Sequence, residues 1–337
     1  MMLRRLRDAA WPVVSGCLRP LLGGLGCILT LHRVVPEGQR SALPSNRALE
    51  ITPEDLRAML QWLQRKRIEV VGLDAVPGRL RESSGGRFVS ITFDDGYRDN
   101  LTLARPIFRE FGAPFAVNVT NGFVAGSASV WWYLVERALG GRTSFEFAWK
   151  GERHRHATAT IGERDRALDE IAGLIRSLGM PRDELLEVIA KVGGIDAGAL
   201  TRELCLSWEE VRELAADPLV TIGAHTAGHH SFNRLSEAEI VAEVETARQE
   251  LATRLGREVR HFAYPFGGPN AVGEREFAIV RRAGFLTMLT TRAGNLTRAH
   301  AQRLDRLPRL TISGNYPVLK ALRMAESGVG AWRARRG

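Results

Sequence analysis

The stretch Ser90-Ile91-Thr92-Phe93-Asp94-Asp95-Gly96 sets two carboxylates side by side directly after an apolar, β-forming run. Adjacent like charges repel, so their pairing at a strand end calls for a compensating positive charge. A divalent ion bound by one aspartate would supply it and leave the other beside the ion as a base. Consecutive residues of a regular strand point to opposite faces, so both carboxylates reach one site only where the strand has ended, and Gly96 permits that turn. The same Asp-Asp-Gly triplet also serves as an aspartate turn or a helix N-cap. Further along, His-Thr-Ala-Gly-His places His225 and His229 four positions apart. With one carboxylate they make a two-histidine, one-carboxylate set that keeps positions open for water and substrate, suited to zinc or another first-row ion. His32 follows one further apolar run, and the turn Ala263-Tyr264-Pro265-Phe266-Gly267 follows another.

Only a fold can gather groups so far apart in the chain. Strand-like runs (CILTLHRVV, IEVVGL, RFVSITF, APFAVNVT, LVTIGAH, VRHFAYPF, FLTMLTT, LPRLTIS) alternate with amphipathic helical stretches. That rhythm signals α/β architecture with parallel strands. Thr52 and Pro53 open one helix, and Ser207/Glu210 and Ser236/Glu239 form capping boxes for two more, the second stopping at Gly256. The expected fold is a distorted (β/α) barrel of about seven or eight mostly parallel strands, whose C-terminal strand ends share one face. Residues 127–204 break the rhythm with a helix, a hairpin and a second helix, and read as an insertion. Its adjacent Trp131 and Trp132 suit either packing or stacking on a sugar ring. The expected organisation is a basic N-terminal segment 1–26, a barrel domain 27–312 carrying the insertion 127–204, and a basic C-terminal tail 313–337.

The 337-residue chain is 45% hydrophobic and 25% charged, a balance that supports a large buried core. Its three cysteines, Cys17, Cys27 and Cys205, have neither the number nor the spacing of a disulfide framework or a zinc knuckle. The formal charge of +9 is concentrated at the ends: residues 1–20 net +3 and residues 298–337 net +7. A nucleic-acid protein would spread basic residues over a folded face with interleaved aromatics. Basic ends fit solvated tails or peripheral attraction to an anionic membrane surface. Arg19 and Pro20 interrupt the apolar start, and no run of about 18 uncharged apolar residues follows, so the chain is expected in the cytoplasm or at a membrane surface.

Thr-Phe-Asp94-Asp95-Gly-Tyr-Arg-Asp-Asn, Ile-Gly-Ala-His225-Thr-Ala-Gly-His229-His-Ser-Phe and His-Phe-Ala263-Tyr264-Pro-Phe266-Gly, in this order, resemble the first three motifs of the polysaccharide deacetylases. These are the metal-dependent carbohydrate esterases with a chitooligosaccharide (nodulation-type) deacetylase domain. The resemblance runs from about residue 86 to 312, with the insertion outside it, and Leu-Thr-Leu-His32-Arg-Val-Val-Pro-Glu resembles the N-terminal histidine motif of the circularly permuted members. It implies Asp94 as catalytic base, Asp95, His225 and His229 as metal ligands, and the Phe266 N–H as an oxyanion donor. The general acid would be His32 in the permuted arrangement, rather than His300. Ala263 stands where many members carry a base-orienting arginine, and Arg309 is the candidate replacement. Tyr264 and Arg309 are both expected at the substrate. His230 follows His229 where proline is common; His154, His156 and His261 read as surface or structural histidines.

The implied cofactor is a divalent ion, Zn2+ first, with Mn2+, Co2+ or Ni2+ as substitutes. The implied reaction removes N-acetyl groups from an N-acetylglucosamine-containing oligo- or polysaccharide. The same residues also suit hydrolysis of another amide or a cyclic imide, and the scaffold alone suits carbohydrate binding without turnover.

Overall fold

The computed structural model describes residues 24–82 and 86–327. Most of the expected N-terminal segment, residues 1–23, lies outside them. Seven parallel strands form a closed barrel: β1 (Gly26–Leu31), β2 (Phe88–Phe93), β3 (Phe115–Val119), β4 (Val220–Ala224), β5 (His261–Ala263), β6 (Thr287–Ala293) and β7 (Leu307–Thr311). Round the barrel the order is β1-β7-β6-β5-β4-β3-β2, and β2 closes it by pairing along β1 from Gly26↔Phe88 to Leu31↔Phe93. Every residue of β1, β2 and β3 is buried, as strands packed inside by the barrel core and outside by helices must be.

The expected strand at 68–73 shrinks to Glu69–Val70, paired outside the barrel with Phe88 and Val89. It stays short because β3 takes over the same edge of β2 from Thr92. The main helices are α1 (Pro53–Arg65), α2 (Trp131–Leu139), α3 (Ile161–Ser177), α4 (Arg182–Gly193), α5 (Ala197–Leu204), α6 (Trp208–Ala215), α7 (Glu237–Leu255), α8 (Glu274–Arg281) and α9 (Val318–Ser327), of which α1 and α6 to α9 pack on the barrel. The Ser207/Glu210 and Ser236/Glu239 boxes cap α6 and α7, Thr52 caps α1, and Gly256 ends α7 with φ +65°.

Helices α2 to α5 and an antiparallel hairpin, Ser144–Trp149 with Glu152–Ala157, build the insertion. It carries its own apolar cluster, with Trp132, Val135, Phe145, Leu168, Ile171, Leu185 and Ile189, and Tyr97 and Phe123 from the barrel side join it. His154 and His156 do not stand free on that hairpin: both rings stack on Phe147. Residues 318–327, expected within a solvated tail, instead form α9, whose Val318 and Leu322 are buried in the barrel's outer core beside α1. Basic residues between these apolar positions hide the stripe in the sequence. Residues 328–337 lie outside the described part.

Candidate active site

A cavity of about 300 Å³ opens at the C-terminal ends of the strands, where His32 follows β1, Asp94 and Asp95 follow β2, His225 follows β4 and Phe266 follows β5. The insertion supplies its far wall through Trp131, Trp132 and α3, and the segment before α1 adds Ser45, Asn46 and Leu49.

Asp94 and Asp95 sit in different surroundings although they are neighbours. The strand ends at Phe93, and Asp95 and Gly96 take left-handed conformations, with φ +76° and +82°. Asp94 is buried, and its two oxygens accept hydrogen bonds from the Arg309 Nη1 and Nη2 at 2.9 and 2.6 Å. Asn118 Nδ2 on β3 donates to Oδ1 at 2.8 Å. Arg309 is itself fixed by donating to the Thr290 carbonyl (2.9 Å) and to Thr92 Oγ1 (3.0 Å). Burial alone would raise the Asp94 pKa, but the Arg309 charge, His225 and the Arg309 hydrogen bonds outweigh it and hold the carboxyl well below the usual carboxylate range.

Two expectations are corrected here. Arg309 is fully buried and binds Asp94, so it positions that carboxylate and cannot contact substrate. Tyr264 is also fully buried; its ring faces Phe232, Phe262 and Phe277, and its hydroxyl donates to the Asp305 carbonyl at 3.0 Å. It belongs to the helix-facing core, and Phe266, two residues on, is the member of that turn that lines the cavity. Asn118 was not among the sequence candidates, although an asparagine within the buried run of β3 is the signal that marks it. Its amide needs Gly223 opposite, because a Cβ there would lie 2.3 Å from Asn118 Oδ1.

Asp95 faces His225 and His229. Its Oδ1 lies 3.5 Å from His225 Nε2 and 3.3 Å from His229 Nε2, and the three ligand atoms fall within 4.8 Å of one another. Four-coordinate zinc with bonds of about 2.0–2.2 Å sets ligand atoms about 3.4 Å apart, so these residues fit such an ion. Asp95 Oδ1 is moreover buried with no hydrogen-bond partner among the described residues, a costly state that a cation would relieve. His225 Nδ1 donates to the Ala263 carbonyl at 2.7 Å, which leaves the Nε2 lone pair for a ligand bond. Burial pulls the His229 pKa down to about 4, so its imidazole is neutral and ready to ligate at pH 7. At His225 burial is outweighed by the charges of Asp94 and Asp95, and its pKa rises.

The loop that carries His225 and His229 is held from both sides. Buried Arg182, from α4 of the insertion, donates to the carbonyls of His229 (2.6 Å) and Gly228 (2.8 Å). Glu243 of α7 accepts from Gly228 N–H at 2.8 Å and pairs with His230 Nδ1 at 3.2 Å. His230 is thereby turned away from the candidate ion site, with Nε2 3.6 Å from Asp183. Thr226 and His229 both have positive φ (+68° and +60°), backbone strain that these bonds sustain. Trp132, Phe123 and Phe266 collar the His229 ring at 4.9–5.5 Å between centroids. Trp131 and Trp132 are 3% and 7% exposed, so their main contribution is packing, Trp132 on His229 and Trp131 on Trp132.

His32 lines the cavity beside Asp94, Asp95, His225 and His229, and Asn100 Nδ2 donates to its carbonyl at 3.0 Å. His300 lies on a short 3-10 helix, where its Nδ1 accepts from Thr297 N–H at 2.9 Å, and it does not line the cavity. Phe266 has φ +60°, and its N–H meets no acceptor among the described residues. Phe266 itself lines the cavity, which makes this unpaired N–H a candidate donor there.

The chain matches the family described as polysaccharide deacetylase over residues 81–285, so β1 with His32 and β7 with Arg309 lie beyond the matched span. No curated relative matches the chain at a significant level. Among solved structures it resembles the Streptococcus pyogenes deacetylase PplD in complex with acetate (16% identity, TM-score 0.57, covering 88% of this chain and 96% of that one). It also resembles IcaB from Ammonifex degensii (19%, TM-score 0.56, 91% and 97%) and the BpsB deacetylase domain from Bordetella bronchiseptica (15%, TM-score 0.50, 85% and 95%). At these identities the likeness concerns the fold, and the matched span of 81–285 carries the assignment: the chain belongs to the polysaccharide deacetylase family.

Proposed function

We propose that this deacetylase removes N-acetyl groups from an N-acetylglucosamine-containing oligo- or polysaccharide with a divalent ion held by Asp95, His225 and His229. Zinc suits the donor set best, and Mn2+, Co2+ or Ni2+ could replace it. The observation that carries the reading is the division between two adjacent aspartates: Asp94 clamped by Arg309 and Asn118, Asp95 unpartnered against two imidazoles.

In the reaction a C–O bond to water forms, the amide C–N bond breaks, and acetate and a free amine leave. The ion would polarise the acetyl carbonyl and acidify the attacking water. Asp94 is kept ionised by Arg309, and Oδ2, which accepts only from that guanidinium, has a lone pair left for the water's proton. The Phe266 N–H faces the charge that develops on the carbonyl oxygen, a contact worth about 3 kcal/mol in comparable holes. His32 gives its proton to the leaving nitrogen. Lines of support for His32 over His300 are its place on the cavity wall and its position after β1.

An acetate-release screen over N-acetylated oligosaccharides, with a cyclic imide alongside, tests the reading. Acetate from the N-acetylglucosamine glycans, abolished by chelation and restored by zinc, is expected. Imide hydrolysis without acetate release, or glycan binding without turnover, would overturn it.

A further inference from the structure

A second cavity of about 330 Å³ adjoins the catalytic one, and Arg176 and Phe266 line both. Its remaining wall includes Ser177, Ser231, Asn233, Arg234 and Asn270, and among the described residues no carboxylate lines it. Two guanidinium groups thus face one space. Neither Arg176 nor Arg234 has a side-chain hydrogen bond or ion pair among the described residues, whereas nearby Arg182, Arg275 and Arg282 are all paired with carboxylates. The neutral groups of this wall are largely engaged with one another. Ser177 Oγ donates to the Leu174 carbonyl, Ser231 Oγ to Asn233 Oδ1, and Asn233 Nδ2 to the Asn270 carbonyl. Apart from the Asn270 amide, the side-chain donors left for a ligand are cationic. Two like charges around an uncompensated cavity repel, and an anion between them would relieve that and accept charge-assisted hydrogen bonds from both.

We propose that this second cavity is a subsite for an anionic group, a carboxylate or a phosphate, carried by the sugar unit next to the one that is deacetylated. The proposal rests on the deacetylase reading for the direction of the glycan, which would run from the ion site past Phe266 and Arg176 towards Arg234. It deepens that reading by restricting the substrate to acidic glycans.

The test compares three oligosaccharides that share one N-acetylglucosamine unit and differ in its neighbour: a neutral hexose, a hexuronic acid, or a hexose phosphate. The metal-loaded full chain should favour an acidic substrate over the neutral one by about tenfold in kcat/KM, the order of one charge-assisted contact. Arg234→Gln should remove most of that ratio, and 0.5 M NaCl should compress it because these groups are exposed to screening. The carboxylate and phosphate arms identify which anion is the source. Equal kcat/KM for neutral and acidic substrates, or a ratio unchanged in both Arg234→Gln and Arg176→Gln, would overturn the subsite while leaving deacetylation intact. Calorimetric binding of the two acidic disaccharides without their acetyl group reads the subsite independently of turnover. Weaker binding by about tenfold in Arg234→Gln is expected, and equal binding would overturn the subsite whatever acetate is released. Lost binding in the variant together with no acetate from any substrate would instead sink the deacetylase reading alone.

Discussion

Replacing Arg309 by methionine removes the cation beneath the candidate active-site cavity while keeping most of the side-chain volume. Arg309 is 0% and Asp94 2% exposed, so the carboxylate would be left buried with only Asn118 as a partner. Breaking such a buried pair by removing one member typically destabilises by about 3–5 kcal/mol. At about 2 °C per kcal/mol for a chain of this size, the melting temperature should fall by about 6–10 °C. The pH dependence has a definite sign. In the wild type the folded Asp94 pKa is depressed, so the pair's stability is present above the unfolded value of about 3.9 and is lost as pH falls below it. In Arg309→Met burial acts without the guanidinium and raises that pKa, so the variant's deficit grows as pH rises above about 4. Metal-free protein melted at pH 4.5 and pH 7.5 should show the larger deficit at pH 7.5. The double variant Asp94→Asn/Arg309→Met should recover part of the loss, because the charge has gone with its partner, yet remain inactive. The acidic limb of kcat/KM in Arg309→Met should move to higher pH. A single variant that melts within about 2 °C of wild type, with an unshifted limb, would refute the role assigned to this pair.

Other consequences follow from the same site. His32→Ala should keep its metal and lose kcat by about 10²–10⁴-fold on an N-acetyl sugar, but far less on an activated aryl acetate whose leaving group needs no proton; steady-state kinetics on both substrates checks this, with His300→Ala near wild type. Arg182→Ala should weaken zinc binding about 10–100-fold in a chelator competition, because the carbonyls of Gly228 and His229 lose their donor, and Arg182→Lys should restore part of it. Zinc affinity should also fall as pH drops, since the raised His225 pKa makes the ion compete with a proton there. Calorimetry in buffers of different ionisation enthalpy should then show proton release that grows towards lower pH.

What the sequence displays is what its local pattern encodes. Ser207 with Glu210 and Ser236 with Glu239 were legible because each capping box closes within four residues. Asp94, Asp95, His225 and His229 were legible as polar groups at the ends of apolar runs, which a parallel barrel gathers on one rim. Tyr264 misled for a related reason: it sits inside a motif, but strand alternation sends its ring to the helix-facing side, against Phe277 of α8. Arg309 could be guessed as an orienting group, while its bidentate grip on Asp94, 215 positions away, depends on how β7 meets the barrel. Arg182 was invisible for the same reason. It lies 47 positions from His229, inside an insertion whose last two helices were not expected, and nothing in its neighbourhood marks it as a support of the candidate metal site.

The division of labour between Asp94 and Asp95 is the central claim, and metal content measured with acetate release on the same preparations tests it most directly. Asp94→Asn should retain an equimolar ion and lose turnover by about 10²–10⁴-fold, because the amide keeps the shape of the side chain without its basicity. Asp95→Asn should lose ion and turnover together, since a three-ligand site has no spare protein ligand. Equal loss of metal in both variants, or full metal and activity in Asp95→Asn, would contradict the account.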